Sequence, residues 1–214
     1  MKRLLIIGAG GFGREVLQWA CASTDRGREW EPGGFLDDRA SALDGTGRAF
    51  PPIVGTVWEY EPREEDVLVC ALGSPQLRGK VFEHFKKRGA RFVRVVHPSC
   101  HVGEGVVLGE GVVLCPGVVL TCDITIGANT ALNVNTAVGH DAGIGAHCQV
   151  SSFCDLTGHV RLGERVFLGS RASVLPGIHV GDSATVGAGS VVVRNVTERT
   201  TVFGNPARML MAAE

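Results

Sequence analysis

Every sixth residue from Val102 to Val192 is aliphatic, from Val102, Leu108 and Leu114 through Val138 and Ile144 to Val186 and Val192. No insertion breaks the register across sixteen hexads. The next residue is glycine at nine of the sixteen, among them Gly103, Gly127, Gly139 and Gly187. Four positions after each aliphatic residue the side chain is small or branched, as at Val112, Thr130, Ala142, Cys148 and Ala172. A period of six matches neither the 2 of a strand nor the 3.6 of a helix. It belongs to a hexapeptide-type solenoid in which each hexad is a short strand and a turn. The aliphatic residue points inward beside the small one. The glycine after it is expected to take the turn conformation that Cβ disfavours, with Asn133 tolerating the same place. Three hexads close one triangular coil, and successive coils pair as parallel strands about 4.8 Å apart.

Composition agrees. Hydrophobic residues make up 44% of the 214, and the 30 glycines suit a repeat with a turn in every hexad. The net charge of −1 gives no field that favours nucleic acid or an anionic membrane. No apolar run is long enough to span a bilayer. The basic-then-apolar start at Met1–Ile7 is cut short by Gly8-Ala9-Gly10-Gly11, which excludes a signal-peptide core. Seven cysteines, an odd number with no C-x-x-C pair, point to a reduced, cytoplasmic protein.

Residues 1–97 read differently. Leu4–Ile7 is a buried strand that runs into Gly8-Ala9-Gly10-Gly11-Phe12-Gly13 and then a helix from Arg14 to about Ala22. A strand, a glycine-rich turn and a helix is the context in which such a motif approaches a phosphate; the bland alternative is a tight turn with no ligand. Residues 23–32 read as a loop and Gly33–Asp38 as a strand ending in two acids, where a ribose hydroxyl would bind. A short strand at Ile53–Gly55, a short helix around Thr56–Tyr60, a buried strand Val67–Leu72, a helix from Gln76 to Arg88 and a last strand Arg91–Val96 follow. His97-Pro98 marks the boundary. The expected domains are therefore a small Rossmann-like α/β unit over 1–97 and a β-helix with a C-terminal cap over 98–214. The first is too short for a full dinucleotide fold, which favours a nucleotide-sugar over NAD. After the repeat, Val202–Arg208 reads as a loop leading into a short helix to Glu214.

The interior columns are aliphatic, so chemistry belongs at the corners. His140-Asp141 follows Gly139 at such a turn, and residues eighteen apart stack between coils. That column places Asp123, Asp141 and His159 near His140, so that Asp141 or Asp123 orients an imidazole base. His147 and His179 read as surface residues of outer turns. No three histidines have the spacing of a catalytic zinc site, so no metal is expected.

These features together resemble one family. Ile6-Ile7-Gly8-Ala9-Gly10-Gly11-Phe12-Gly13-Arg14-Glu15-Val16, then Gly34-Phe35-Leu36-Asp37-Asp38, Ala71-Leu72-Gly73-Ser74-Pro75-Gln76-Leu77-Arg78 and Val96-His97-Pro98-Ser99 lead into the hexads. Asn133-Val134-Asn135 precedes His140-Asp141, and Val202–Arg208 closes the chain. The chain resembles the sialic acid O-acetyltransferase (NeuD) family, including PglD-like nucleotide-sugar N-acetyltransferases, over nearly its whole length. The resemblance implies a left-handed β-helix, against the usual right-handed crossover, and a homotrimer with active sites between subunits. It implies an acetyl-CoA-dependent acetyltransferase acting on a nucleotide-linked amino-sugar, with His140 as base, Asp141 as its partner and Asn133 nearby. Gly8, Gly10, Gly11, Phe12 and Gly13 would form the nucleotide-sugar loop. Asp37 and Asp38 would contact base or ribose, and Gly73 and Arg78 would face the sugar phosphates. Acetyl-CoA would run along Gln149, Gly158, Ser170 and Ala188. Many members have histidine in place of Phe12 and of Gln149; Gln149 still offers a hydrogen-bond donor. O-acetylation of a sugar hydroxyl and a non-catalytic nucleotide-sugar sensor are the alternatives that the residues leave open.

Overall fold

The structure, a computed structural model, describes residues 1–212. It opens with four parallel strands, β1 (Lys2–Ile7), β2 (Trp30–Leu36), β3 (Ile53–Gly55) and β4 (Asp66–Cys70), in the order β3-β2-β1-β4. Helices α1 (Gly11–Ala22) and α2 (Pro75–Lys86) accompany them. β2 starts at Trp30, inside the stretch expected to be a loop, because the Trp30 side chain is only 1% exposed in the core and its backbone pairs with Lys2. The helix expected around Thr56–Tyr60 is a turn instead. Gly8 and Leu72 lie beyond the ends of β1 and β4, where the strand order changes direction. Open α/β sheets take ligands in that crevice.

The expected last strand of this unit meets its sheet only at Phe92, which bridges Leu68 of β4 in parallel, with Leu68 N donating to Arg91 O at 2.8 Å and Val93 N to Leu68 O at 2.9 Å. Only β5 (Val95–Val96) is a strand, and it pairs with Val113–Leu114 of the repeat. Sixteen two-residue strands follow, β6 to β21, from His101–Val102 to Val191–Val192. From β6 to β18 each pairs in parallel with the strand eighteen residues on, as Ala131 does with Gln149 and Ala137 with Asp155. The result is a left-handed parallel β-helix of three faces. Face one carries Val95, Val113, Ala131, Gln149, Phe167 and Thr185; face two carries Val119, Ala137 and Asp155; face three carries Val107, Thr125, Gly143 and Arg161. Inside, Leu114, Leu120, Leu132, Val138, Leu156 and Leu168 are fully buried beside Val112, Val118 and Ala172. Each fully buried leucine is worth about 2 kcal/mol relative to exposure. Val102, in the first coil, remains 42% exposed.

The hexad glycines do a different task from the one expected. Gly103, Gly127, Gly139 and Gly145 do not have positive φ. A Cβ on Gly127 would instead stand 2.5 Å from Ala146 N in the next coil, and one on Gly103 would overlap Thr121 O. These glycines permit the close stacking of turns. The left-handed position lies two residues later: Asp123, Asn129, Asn135, Asp141, His147 and His159 have φ between 54 and 62°. Asn133 is not among them; its Oδ1 accepts from Val134 N at 2.7 Å.

The C-terminus also differs. β22 (Thr200–Gly204) extends face one, and β23 (Ala207–Ala212) turns back antiparallel to it across Asn205-Pro206. The expected terminal helix is thus a hairpin as far as residue 212, and its last two positions lie outside the described residues. No helix among the described residues is long and apolar enough to cross a membrane.

The two kinds of turn position predict opposite outcomes. Gly127→Ala should destabilise the fold by about 2 kcal/mol, since backbone of the next coil must move. Asn135→Gly, which places glycine at a left-handed position, should leave stability nearly unchanged. Chemical denaturation of the two variants checks this.

Candidate active site

Corner residues inherit their positions from the stacking. The turn from face two to face three holds His140 and Asp141, and one coil on it holds Gly158 and His159. Coil-to-coil backbone bonds fix both turns: Asp141 N donates to Cys122 O at 3.2 Å, and His159 N to His140 O at 2.9 Å. His140 Nδ1 lies 2.8 Å from Asp141 Oδ2. The same oxygen is 3.8 Å from His159 Nδ1, and the two imidazoles meet edge to face with centroids 5.0 Å apart. The hydrogen bond from His140, aided by the charges of His159, His140 and Arg161, holds the Asp141 carboxyl below its ordinary range. Arg161 also donates to the Asp141 backbone carbonyl. With the carboxylate on Nδ1, His140 carries its free lone pair on Nε2. That atom faces Gly158, where a Cβ would come within 2.6 Å of it. Gly158 therefore keeps the basic nitrogen open. Among the described residues Asp123 makes no contact of this kind, and Asp141 is the carboxylate that bonds the ring.

His140, Asp141 and His159 place one ligand atom each within 4.8 Å of one another, the grouping that the eighteen-residue column implied. Two imidazoles and a carboxylate suit a metal chemically, although all three are exposed and Asp141 Oδ2 already bonds His140.

Other expected site residues sit elsewhere. Asn133, Ser170 and Ala188 occupy the corner between faces one and two, and Gln149 lies on face one. Within one chain none of them joins His140. Gln149 is 5% exposed, and its Oε1 is buried without a hydrogen-bond partner among the described residues.

The glycine-rich turn starts α1 at Gly11, with Gly10 as the N-cap, no side-chain cap and no acid in the first turn. A Cβ on Gly8 would press on Leu72 at 2.9 Å, and one on Gly13 would overlap Gly8 O. Gly11 and Gly73 have open space around them. Phe12 is partly buried against the core that α1 shares with Val113 and Ala131 of face one. Gly8, Asp37, Asp38, Trp58 and Leu72 line a pocket of about 340 Å³. Asp37 Oδ2 accepts from Ala9 N at 2.8 Å, and the carboxylate is forked by Arg39 at 3.1 Å. Burial works against the Asp37 charge, but Arg39 and the backbone N–H groups outweigh it and leave the carboxyl below its usual range. Asp38 Oδ1 accepts from Val57 N at 2.7 Å. Both acids thus shape the pocket wall.

Arg78 does not face the phosphates. It is fully buried and spends its guanidinium on carbonyls: Asn129 O at 2.7 and 3.0 Å, Leu72 O at 3.0 Å and Cys70 O at 3.1 Å. Burial lowers its pKa. It ties the end of β4 to a turn of the β-helix. Asn129 answers through Nδ2, which donates to Arg78 O at 3.0 Å and reaches His147 Nδ1 at 3.1 Å. His147, expected on the surface, is 7% exposed beneath α2, edge to face with Phe82.

Comparison with known proteins places this geometry. The family model for the PglD N-terminal domain matches residues 3–85, and the hexapeptide repeat of succinyl-transferase matches residues 99–122 and 159–194. PerB from Caulobacter crescentus, solved with CoA and GDP-perosamine, is 32% identical over 99% of this chain and 98% of its own, with a TM-score of 0.85. The chain belongs to the PglD-like acetyltransferase family. It is an acyltransferase. The acetyltransferase domain of PglB from Neisseria gonorrhoeae FA1090, solved with acetyl coenzyme A, is 27% identical over 98% of this chain and 99% of its own, TM-score 0.85. WeeI from Acinetobacter baumannii AYE is likewise 27% identical, with a TM-score of 0.84 over 98% of this chain and all of its own.

The Arg78 clamp is testable. Arg78→Met keeps the bulk but leaves three buried carbonyls without a donor, and should cost about 3 kcal/mol. An unchanged denaturation midpoint would show that other contacts hold the two units together.

Proposed function

We propose that the enzyme transfers the acetyl group of acetyl-CoA to the amino group of a nucleotide-linked amino-sugar. The observation that supports this most is the His140–Asp141 pair, with Nε2 left open above Gly158. The neutral amine attacks the thioester carbonyl carbon as His140 Nε2 accepts its proton; the new C–N bond forms, the C–S bond breaks, and CoA leaves as the thiolate, which takes up the proton. No covalent enzyme intermediate is needed. Asp141 holds the ring and favours its protonated form during the transfer.

The nucleotide part fits the pocket beyond β1 and β4, with its phosphates toward the unpaired N–H groups at the start of α1. A relative binds GDP-perosamine together with CoA, which supports a nucleotide-sugar acceptor here. The buried amide of Gln149 is suited to the thioester end of acetyl-CoA, and Ser170 and Ala188 to its extended arm.

Assembly follows from where these groups lie. His140 and Gly158 border face two on one side; Asn133, Ser170 and Ala188 border it on the other. Three copies packed around face two set one chain's His140 corner against its neighbour's Asn133 corner, completing a cleft that a single chain leaves open. Val119 on face two is 38% exposed, whereas Val113 on face one is already buried by the α/β unit.

Release of free thiol from acetyl-CoA with UDP-, dTDP- and GDP-linked 4-amino-sugars, and with free sialic acid, tests the reading. Turnover on one amino-sugar should fall about 10³-fold in His140→Ala and less in Asp141→Asn. Turnover on sialic acid alone would make the enzyme an O-acetyltransferase, and undiminished turnover in His140→Ala would remove the base.

Activity should survive dialysis against a chelator. Loss of activity that zinc restores would instead make His140, Asp141 and His159 metal ligands.

A further inference from the structure

A groove of about 740 Å³ runs between α2 and the turns that join face three to face one. His140 stands at a different corner, so the groove lies apart from the proposed acetyl-transfer centre and its reading does not depend on that proposal.

One side chain in the groove is built for a ligand. Asn129 Nδ2 gives one hydrogen to Arg78 O, so it donates its other to His147 Nδ1. The imidazole proton is therefore on Nε2. The ring is more than nine-tenths buried, and burial depresses its pKa, which keeps it neutral. Its Nε2–H has no protein acceptor among the described residues, and the ring lines the groove. That N–H opens onto the groove, where an acceptor can take it; the lining atom that is buried without a partner is His84 Nε2.

The charges agree. Lys80, Lys87, Arg88 and Arg165 line the groove against Glu83 and Glu164, in a chain whose net charge is −1. Glu164 is paired with Arg165 at 3.0 Å, while Lys80 and Lys87 have no carboxylate partner among the described residues.

Gly79 supplies an independent sign. It lies inside α2, where glycine costs about 1 kcal/mol relative to alanine. Its φ is not left-handed, and a Cβ would meet His147 at 3.5 Å and Arg165 at 3.7 Å, both ordinary contacts. Neither backbone nor packing requires glycine. What its missing side chain leaves is space between α2 and the side chains of His147 and Arg165.

We propose that this groove binds a small phosphate-bearing anion, its oxygens held by His147 Nε2–H, the Ser183 hydroxyl and the ammonium groups of Lys80 and Lys87. The ligand is an anion with several acceptor oxygens because two unpaired ammonium groups, an imidazole N–H and a hydroxyl stand against Glu83, the one lining carboxylate without an ion pair among the described residues.

The test titrates the full-length protein, labelled with ¹⁵N-histidine, with inorganic pyrophosphate and, separately, orthophosphate, reading the His147 imidazole. This local readout separates the groove from phosphate binding at the start of α1. The His147 signal should shift on saturation. The affinity read there should fall about tenfold or more in the Lys80→Gln, Lys87→Gln double variant. Gly79→Ala should raise the melting temperature yet weaken the anion, a combination that a purely structural role for Gly79 does not give. A His147 signal unmoved by either anion, or shifted with equal affinity in parent and double variant, overturns the proposal.

Discussion

Stacking at an interval of eighteen residues is the constraint from which the rest follows. Each two-residue strand is too short to be stable by itself, so it exists only because the coils above and below satisfy its backbone. The hydrogen bonds recur with that interval, as Gly139 N to Leu156 O at 2.7 Å and Gly145 N to Leu162 O at 2.9 Å. The same interval sets corner residues in columns. His140 above Gly158, and Asp141 beside His159, are products of the register rather than of local chain preference. A solenoid of this kind is rigid where it is stacked, and a rigid corner is a suitable mount for a base whose nitrogen must be aimed.

The α/β unit and the β-helix are joined by burial, by the Lys86–Glu110 ion pair and by one buried guanidinium. Face one is covered by α1 and its core, so that Val113 and Ala131 are wholly buried there. Arg78 adds a directional link between the end of β4 and the turn at Asn129. A guanidinium without a carboxylate partner is costly to bury, and the carbonyls it bonds offset that cost only in one arrangement of the two units. The loop at Leu72, which lines the pocket beyond β1 and β4, is held by that arrangement, so the pocket and the β-helix share a common frame.

The site was partly legible in the sequence. The His140-Asp141 pair was visible because a fixed period lets corner columns be counted, and its hydrogen bond appears as that count implied. The glycine-rich loop was visible because strand, glycines and helix follow in order. Arg78 was misread: the family resemblance implied that it faces the phosphates, and only the packed interface shows that the side chain turns inward to Asn129. His147 was missed for a similar reason. At the surface of an isolated coil it would be exposed, but α2, distant in sequence, lies over it. The same limit applies to Asn133 and Gln149, whose separation from His140 depends on which corner each coil presents.

By itself the sequence determined the period, the inward columns, the short α/β unit before them and the family. All of these rest on local repetition and side-chain size, which are read along the chain. Tertiary structure alone decided which glycines serve turns and which serve stacking, since the difference lies in the distance to the next coil and not in the hexad. It decided that the C-terminus closes as a hairpin on face one, because an open sheet edge was there to be paired. It also decided which polar groups became buried struts, since burial is conferred by whatever packs across from a residue.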